Sequence, residues 1–202
     1  MKLDRKIPII IATTNINKVK EYQEIFRGFT LMSLKDISFD KDVEENGKTF
    51  DENSFIKAEE VFQYLKTKKF NAYVLSDDSG LVIKSLHGEP GIFSARYSGK
   101  NATYQTNRDL VLEKLKDKKL NCQRVAYLTT HICFITPNHK VIFKNGKTWG
   151  RITKTEIGDK TFGYNCIFYS YVLKKTFGEA NIAELKINHR FKAARKILKL
   201  FK

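Results

Sequence analysis

Two adjacent carboxylates, Asp77 and Asp78 in the stretch SDDSGLVI, sit between an apolar run at residues 72–75 and a second at 81–83. Side chains alternate faces along a strand, so an extended pair would point in opposite directions. Asp-Asp-Ser-Gly is also good turn chemistry, and this stretch by itself leaves a turn and a functional placement both open. Upstream, Thr13, Thr14, Asn15, Ile16, Asn17 and Lys18 join an apolar run to an amphipathic one. A strand that turns into a helix aims backbone N–H groups and the positive end of the helix dipole at whatever lies above the turn. Lys18 adds a full charge, which suits phosphate, although the glycines of a P-loop are missing. Glu44, Glu45, Asp51 and Glu52 cluster ahead of and into a second amphipathic run, where acidic side chains are ordinary dipole partners. Asn53 and Lys57, at i and i+4, share a helix face and either reach one ligand or line a solvated surface. Two segments rich in glycine and aromatics, GEPGIFSARYSG and KTFGYNCIF, make a base-stacking wall or well-packed turns. His189 and Arg190 open the last periodic segment, where the pair can donate to an exocyclic oxygen or a phosphate, or serve as surface charge.

The elements that must position these groups alternate in type. Residues 7–13 read as a buried strand, followed by a polar turn with Asn17 as the expected N-cap of a helix ending at Gly28. A short strand is expected at 30–34 and a second helix over 51–66, with Phe55, Ala58, Val61, Phe62 and Leu65 on its core face. Two strands flank the Asp pair, and a third helix covers 104–116. Strands follow at 124–136, 141–144 and 150–156, and a final helix covers 189–201. Strands alternating with helices, then a strand-rich stretch, predict an α/β protein: an elongated mixed β-sheet with helices packed on it.

The chain has 202 residues, the size of one domain or of one domain folded into two lobes. A hydrophobic content of 42% excludes a disordered chain. Net charge is +15, which suits nucleic acid, an anionic membrane or a polyphosphate, or reflects no more than lysine-rich usage. Three cysteines without CxxC spacing fit reduced thiols in a cytosolic protein better than a disulfide frame or zinc site. The apolar run near the start is too short for a signal peptide core or a membrane span. The expectation is a cytoplasmic protein with no membrane partner.

Taken in order, ATTNINKVKE, ENGKTFDENSFIKA, DDSGLVI, GEPGIFSARYSG, FGYNCIF and HRFKA resemble the inosine triphosphate pyrophosphatase family, across nearly the whole chain. The resemblance implies hydrolysis of ITP, dITP and XTP, triphosphates of non-standard purines, to monophosphate and pyrophosphate with Mg²⁺, for which Mn²⁺ can substitute. It implies two lobes around a central nucleotide cleft and a homodimer. Carried over residue by residue, Thr13, Thr14, Asn15, Ile16, Asn17 and Lys18 hold the triphosphate together with Lys57. Glu44 binds metal, with Glu45 the near-equivalent choice. Asp78 binds metal and acts as general base, with Asp77 a support or second metal contact. Ser79 contacts substrate, Phe162, Gly163, Tyr164 and Asn165 line the base, and His189 and Arg190 read the keto edge.

The sequence departs from the family pattern in three places. Asn165 stands where the family carries Asp, replacing an acceptor-only group with one that also donates. The segment before His189 is shortened, so that Lys186 is the candidate for a phosphate-contacting lysine, and Asn188 replaces a serine. A pyrophosphatase with altered base preference is one alternative. The other, from a different class, is a basic nucleic-acid-binding module without catalysis. The four retained acidic residues argue against nucleic acid as a partner, since they would repel it.

Overall fold

Ile9, Ile10 and Ile11 are fully buried and form a three-residue strand, β1 (Ile9–Ile11), sheltered on both faces. The chain then runs through α1 (Ile16–Ile25), β2 (Leu31–Ser33), α2 (Phe50–Thr67), β3 (Tyr73–Ile83), α3 (Tyr104–Lys114), β4 (Val125–Ile135), β5 (Val141–Ile152), β6 (Phe168–Ser170), β7 (Lys175–Thr176) and α4 (His189–Leu198). These elements belong to a computed structural model that describes residues 3–159, 162–181 and 183–202. The seven strands make one mixed sheet in the order β2-β1-β3-β4-β5-β6-β7. β1 pairs in parallel with β2 and β3, and β6 pairs antiparallel with β5 and β7. The α/β architecture expected from the sequence is present.

Two compact units share these elements. The first comprises Met1–Asp78, Thr130–Gly146 and Arg190–Lys202, and the second comprises Ser79–Thr129 and Lys147–His189. In the first unit, period-two alternation sorts side chains onto the two sheet faces. Ile9, Ile11, Tyr73, Leu75, Ile132 and Phe134 pack with Tyr22 and Ile25 of α1 and with Phe191, Ala194 and Ile197 of α4. Ile10, Ala12, Val74, Cys133 and Ile135 pack instead with Ala58, Val61, Phe62 and Leu65 of α2. Each buried aliphatic side chain contributes about 1.5–3 kcal/mol, so both helical layers hold the same strands firmly. In the second unit, Val111 and Leu115 cover Leu81, Ile83, Ala126, Leu128 and Ile152, together with Cys166, Ile167 and Phe168.

Several local expectations are corrected. The N-cap of α1 is Asn15, not Asn17, because its side chain accepts from the amides of Asn17 and Lys18. The Asp pair does not interrupt the sheet: β3 runs unbroken through Ser76, Asp77, Asp78 and Ser79. Local turn propensity loses there because side chains of α1 and α2 supply partners that an isolated segment lacks. The strands expected at 141–144 and 150–156 are a single strand, β5. Its buried positions Gly146, Thr148 and Gly150 carry no hydrophobic signal, so the alternation is silent in sequence. Gly150 is needed for close approach, since a Cβ there would sit 2.2 Å from the Tyr169 carbonyl oxygen. The last helix closes at Leu198 and tightens into a 3-10 turn at Lys199–Phe201.

Candidate functional site

Unbroken pairing through β3 decides where its two carboxylates go. Asp77 follows Tyr73 and Leu75 onto the α1/α4 face, and Asp78 follows Val74 and Ser76 onto the α2 face. Both are buried. Ser76 marks the second face independently, donating its hydroxyl to the Ser54 carbonyl of α2.

On the α1/α4 face Asp77 meets cations. Its Oδ2 lies 3.1 Å from Lys18 Nζ and 3.5 Å from Arg190 Nε, and its carbonyl oxygen accepts from Lys18 Nζ at 3.3 Å. Arg190, fully sequestered at the start of α4, also pairs through NH1 with Glu21. Burial opposes the Arg190 charge, but Glu21 and Asp77 outweigh it and hold its pKa above the ordinary value. Tyr22 lies in the same layer. Burial, then the Asp77 charge, pushes its phenol well up, so it stays protonated. Lys18 is held below the ordinary lysine value by burial, although Asp77 counters this. Lys57 and Arg190 push in the same direction as burial.

On the α2 face Asp78 has a different company. Asn53, with no exposed surface, donates Nδ2 to Asp78 Oδ2 at 3.1 Å, while its Oδ1 accepts from the Gly47 amide at 2.9 Å. One amide thus ties the acidic loop ahead of α2 to the strand carboxylate. Lys57, one turn further along α2, pairs with Glu45 at 3.0 Å. Burial raises the Asp78 pKa. Lys57 and Lys18 pull it down, Glu45 pushes it up, and the Asn53 hydrogen bond lowers it again. Glu45 therefore stands within electrostatic reach of Asp78, whereas Glu44 is exposed to solvent. Among the described residues no three His, Cys, Asp or Glu side chains gather into a set able to hold a metal.

The turn before α1 is organised by side chains. Thr13 Oγ1 accepts from the Asn15 amide at 3.2 Å, and Asn15 Oδ1 accepts from Asn17 at 3.0 Å and Lys18 at 3.4 Å. The Asn17 and Lys18 amides are thereby capped, and the attraction for an anion rests on the helix dipole and the Lys18 charge. Thr14 and Ile16 are exposed beside them.

In the second unit, residues 162–167 form a turn and a 3-10 segment (Asn165–Ile167). Gly163 takes φ +53°, a left-handed conformation that glycine adopts freely. Tyr164 is buried and donates its hydroxyl to the Ser94 carbonyl at 2.7 Å. The Phe162 ring meets Tyr104 edge-on, and Asn165 is half-buried. Ser79 is half-buried and His189 almost fully buried, while Lys186 lies exposed on the 3-10 segment Glu184–Ile187. Thr161, which precedes this turn, lies outside the described residues. Sequence reasoning missed Glu21 as the partner of Arg190, Asn53 as the partner of Asp78, and Arg108, whose NH1 donates to the Gly163 carbonyl. The shared face of Asn53 and Lys57 was the only advance signal among these.

Known proteins resemble this chain in sequence and in fold over nearly its whole length. A model of the Ham1 family matches residues 9–200. A dITP/XTP pyrophosphatase of Clostridium perfringens is 41% identical over 192 residues, which cover 93% of this chain and 94% of that protein. One from Bacillus anthracis is 36% identical over 193 residues, covering 94% and 93%. The solved structure of the Staphylococcus aureus Ham1 protein is similar with a TM-score of 0.82 at 33% identity, covering 95% of this chain and 96% of that one. A HAM1 protein from Coxiella burnetii gives 0.82 at 32%, covering 96% and 98%.

Proposed function

The chain belongs to the Ham1 family, and from that premise we propose that it hydrolyses the triphosphates of non-standard purines, ITP, dITP and XTP, to the monophosphate and pyrophosphate. The observation that carries this reading is Asp78. It is a buried carboxylate with a raised pKa, held by Asn53 and lying in the field of Lys57 and Lys18. Two ammonium groups beside a carboxylate fit a ligand that brings several negative charges and must be attacked by water. Lys18 and Lys57 bind the phosphates. Asp78 takes the proton of the attacking water as its oxygen bonds to the α-phosphorus and the bond to the β-phosphate bridging oxygen breaks. A base of this kind contributes ~10²–10⁴-fold. Pyrophosphate leaves with that bonding pair, its charge met by the two lysines.

Glu45 and Asp78 are hard oxygen donors whose mutual repulsion a dication would relieve, so they fit Mg²⁺ or Mn²⁺. When bound, such an ion neutralises phosphate charge. Asp77, engaged by Lys18 and Arg190, acts as their support. In the second unit, Phe162, Gly163, Tyr164 and Asn165 line the base, with Ser79 beside the substrate and His189 donating to the keto oxygen. Arg190 is engaged by Glu21 and Asp77. Lys186 serves the phosphates. A cytoplasmic homodimer completes the proposal; it rests on the family resemblance, and three cysteines without CxxC spacing are compatible with a cytoplasmic location. No helix among the described residues is long and apolar enough to cross a membrane.

The test is release of pyrophosphate from ITP, XTP, GTP and ATP with Mg²⁺, and after EDTA. ITP and XTP should be turned over fastest, and EDTA should stop the reaction. Orthophosphate and a nucleoside diphosphate as initial products would reject the reading.

A further inference from the structure

Arg108 of α3 is buried in the second unit and spends each guanidinium nitrogen on a different partner. Nε donates to Glu156 Oε1 at 2.6 Å, NH1 to the Gly163 carbonyl at 2.9 Å, and NH2 to Gln105 Oε1 at 2.8 Å. Gln105 closes the ring by donating Nε2 to the same Glu156 oxygen at 3.0 Å. One turn away, Tyr104 meets Phe162 with ring centroids 6.0 Å apart at 72°. One face of α3 therefore grips the turn at residues 162–164 through an aromatic contact and a charge-assisted hydrogen bond.

We infer that Arg108 is a positioning residue for base selection, acting through the Gly163 peptide. The Gly163 carbonyl and the Tyr164 amide belong to one planar unit, so fixing the first orients the second. Gly163 is the position where that plane would otherwise rotate most freely, since its backbone lies at φ +53° and a Cβ built on it would touch nothing within 4 Å. A lysine could not replace the clamp, because three donors in a rigid fork serve three partners here and one ammonium cannot reach them all. Glu156 keeps the fork from rotating, and Gln105 holds its far side.

This inference rests on the assignment of residues 162–165 to the base side of the substrate, and the experiment separates the two. Arg108→Lys keeps a charge opposite Glu156 but loses the fork. The pair Arg108→Met with Glu156→Gln removes both charges together. Gln105→Leu, at an exposed position, loosens the clamp by removing its hydrogen bonds to Arg108 and Glu156 while leaving both charges in place. Steady-state kinetics with ITP and ATP, melting temperature, and equilibrium binding of both nucleotides in EDTA are measured for each. The expected result for Arg108→Lys is a fall of about 10–100-fold in kcat/KM for ITP, carried by KM, with the ITP-to-ATP ratio falling at least about tenfold, the scale of a small misplacement of bound substrate. Gln105→Leu should move that ratio the same way by a smaller factor. Folded variants that keep the wild-type ratio, or that lose ITP and ATP equally, would overturn the inference and leave Arg108 a staple of the fold. If the wild type releases no pyrophosphate from any nucleotide, the proposed function fails by itself, and the binding ratios in EDTA still judge the clamp.

Discussion

The same substitution at two neighbouring positions should have opposite consequences. Asp77→Asn takes away the countercharge of two buried cations, Lys18 at 3.1 Å and Arg190 at 3.5 Å. Breaking a buried pair costs about 3–5 kcal/mol, and Arg190 keeps Glu21, so the lower end applies. At about 2–4 °C per kcal/mol for a chain of this size, the melting temperature should drop by about 6–12 °C. Asp78→Asn should do no such damage. The Asp78 pKa is raised in the fold, chiefly by burial, so the native state binds more protons than the unfolded chain between the ordinary carboxyl value and the raised one. Stability contributed at this site therefore falls as pH rises through that window and stays low above it. Asn carries no such penalty, so Asp78→Asn should melt at or above the wild type at pH 8, with the gain vanishing in acid. Turnover should nevertheless fall by ~10²–10⁴-fold, the usual worth of a general base. The assay pairs urea and thermal melts in EDTA across pH 4–8 with pyrophosphate release from ITP. An Asp77→Asn protein that melts within about 2 °C of wild type, or an Asp78→Asn protein destabilised as much as its neighbour, would refute the assignment of the two carboxylates to opposite layers.

Lys18 is held below the ordinary lysine value by burial, so its charge is lost at a lower pH than that of a free lysine. KM for the triphosphate should climb on the alkaline side, and Lys18→Arg should shift that climb to higher pH in a KM-versus-pH series. Gly47→Ala puts a Cβ 2.7 Å from Asn53 Oδ1 and 2.8 Å from Glu52 Cβ. Displacing Asn53 should lower kcat by about 10-fold or more, since it loosens the amide that holds Asp78; an unchanged kcat would show that Asn53 does not position the carboxylate. Asn165→Asp restores an acceptor-only group, and kcat/KM for ITP over GTP should rise. A flat ratio would remove residue 165 from the account of base choice.

The sequence carried the helices where apolar periodicity was strong, as in α2, and the buried strands where an unbroken apolar run stood out, as in β1. It failed where tertiary partners overrode local chemistry. SDDSG reads as a turn because Asp, Ser and Gly satisfy turn backbones locally. It folds as strand because Lys18, Asn53 and Ser54 wait on either side. The N-cap was misplaced by two residues because both Asn15 and Asn17 have the right side chain, and only geometry shows which one accepts the amides. Lys18, Lys57 and Asp78 were legible as candidates by type and spacing. The pairing of Arg190 with Glu21 was not, since the partners lie 169 residues apart and neither stands in a motif that names the other.

That separation sets a schedule for synthesis. The first unit holds Glu21 and Asp77 from the early part of the chain, yet the arginine that answers both is residue 190, which follows the whole second unit. At roughly 5–20 residues per second, a nascent chain holding Asp77 waits about 6–23 s for Arg190 to be made. During that interval Asp77 has Lys18 within reach but Glu21 has no arginine, and the α1/α4 face of the sheet lacks the helix that covers Phe134 and Tyr73. The layer beneath Lys18 can therefore close only after translation has passed residue 190. A ribosome stalled short of that point should display an open apolar face that recruits chaperones, while the α2 layer is already able to fold.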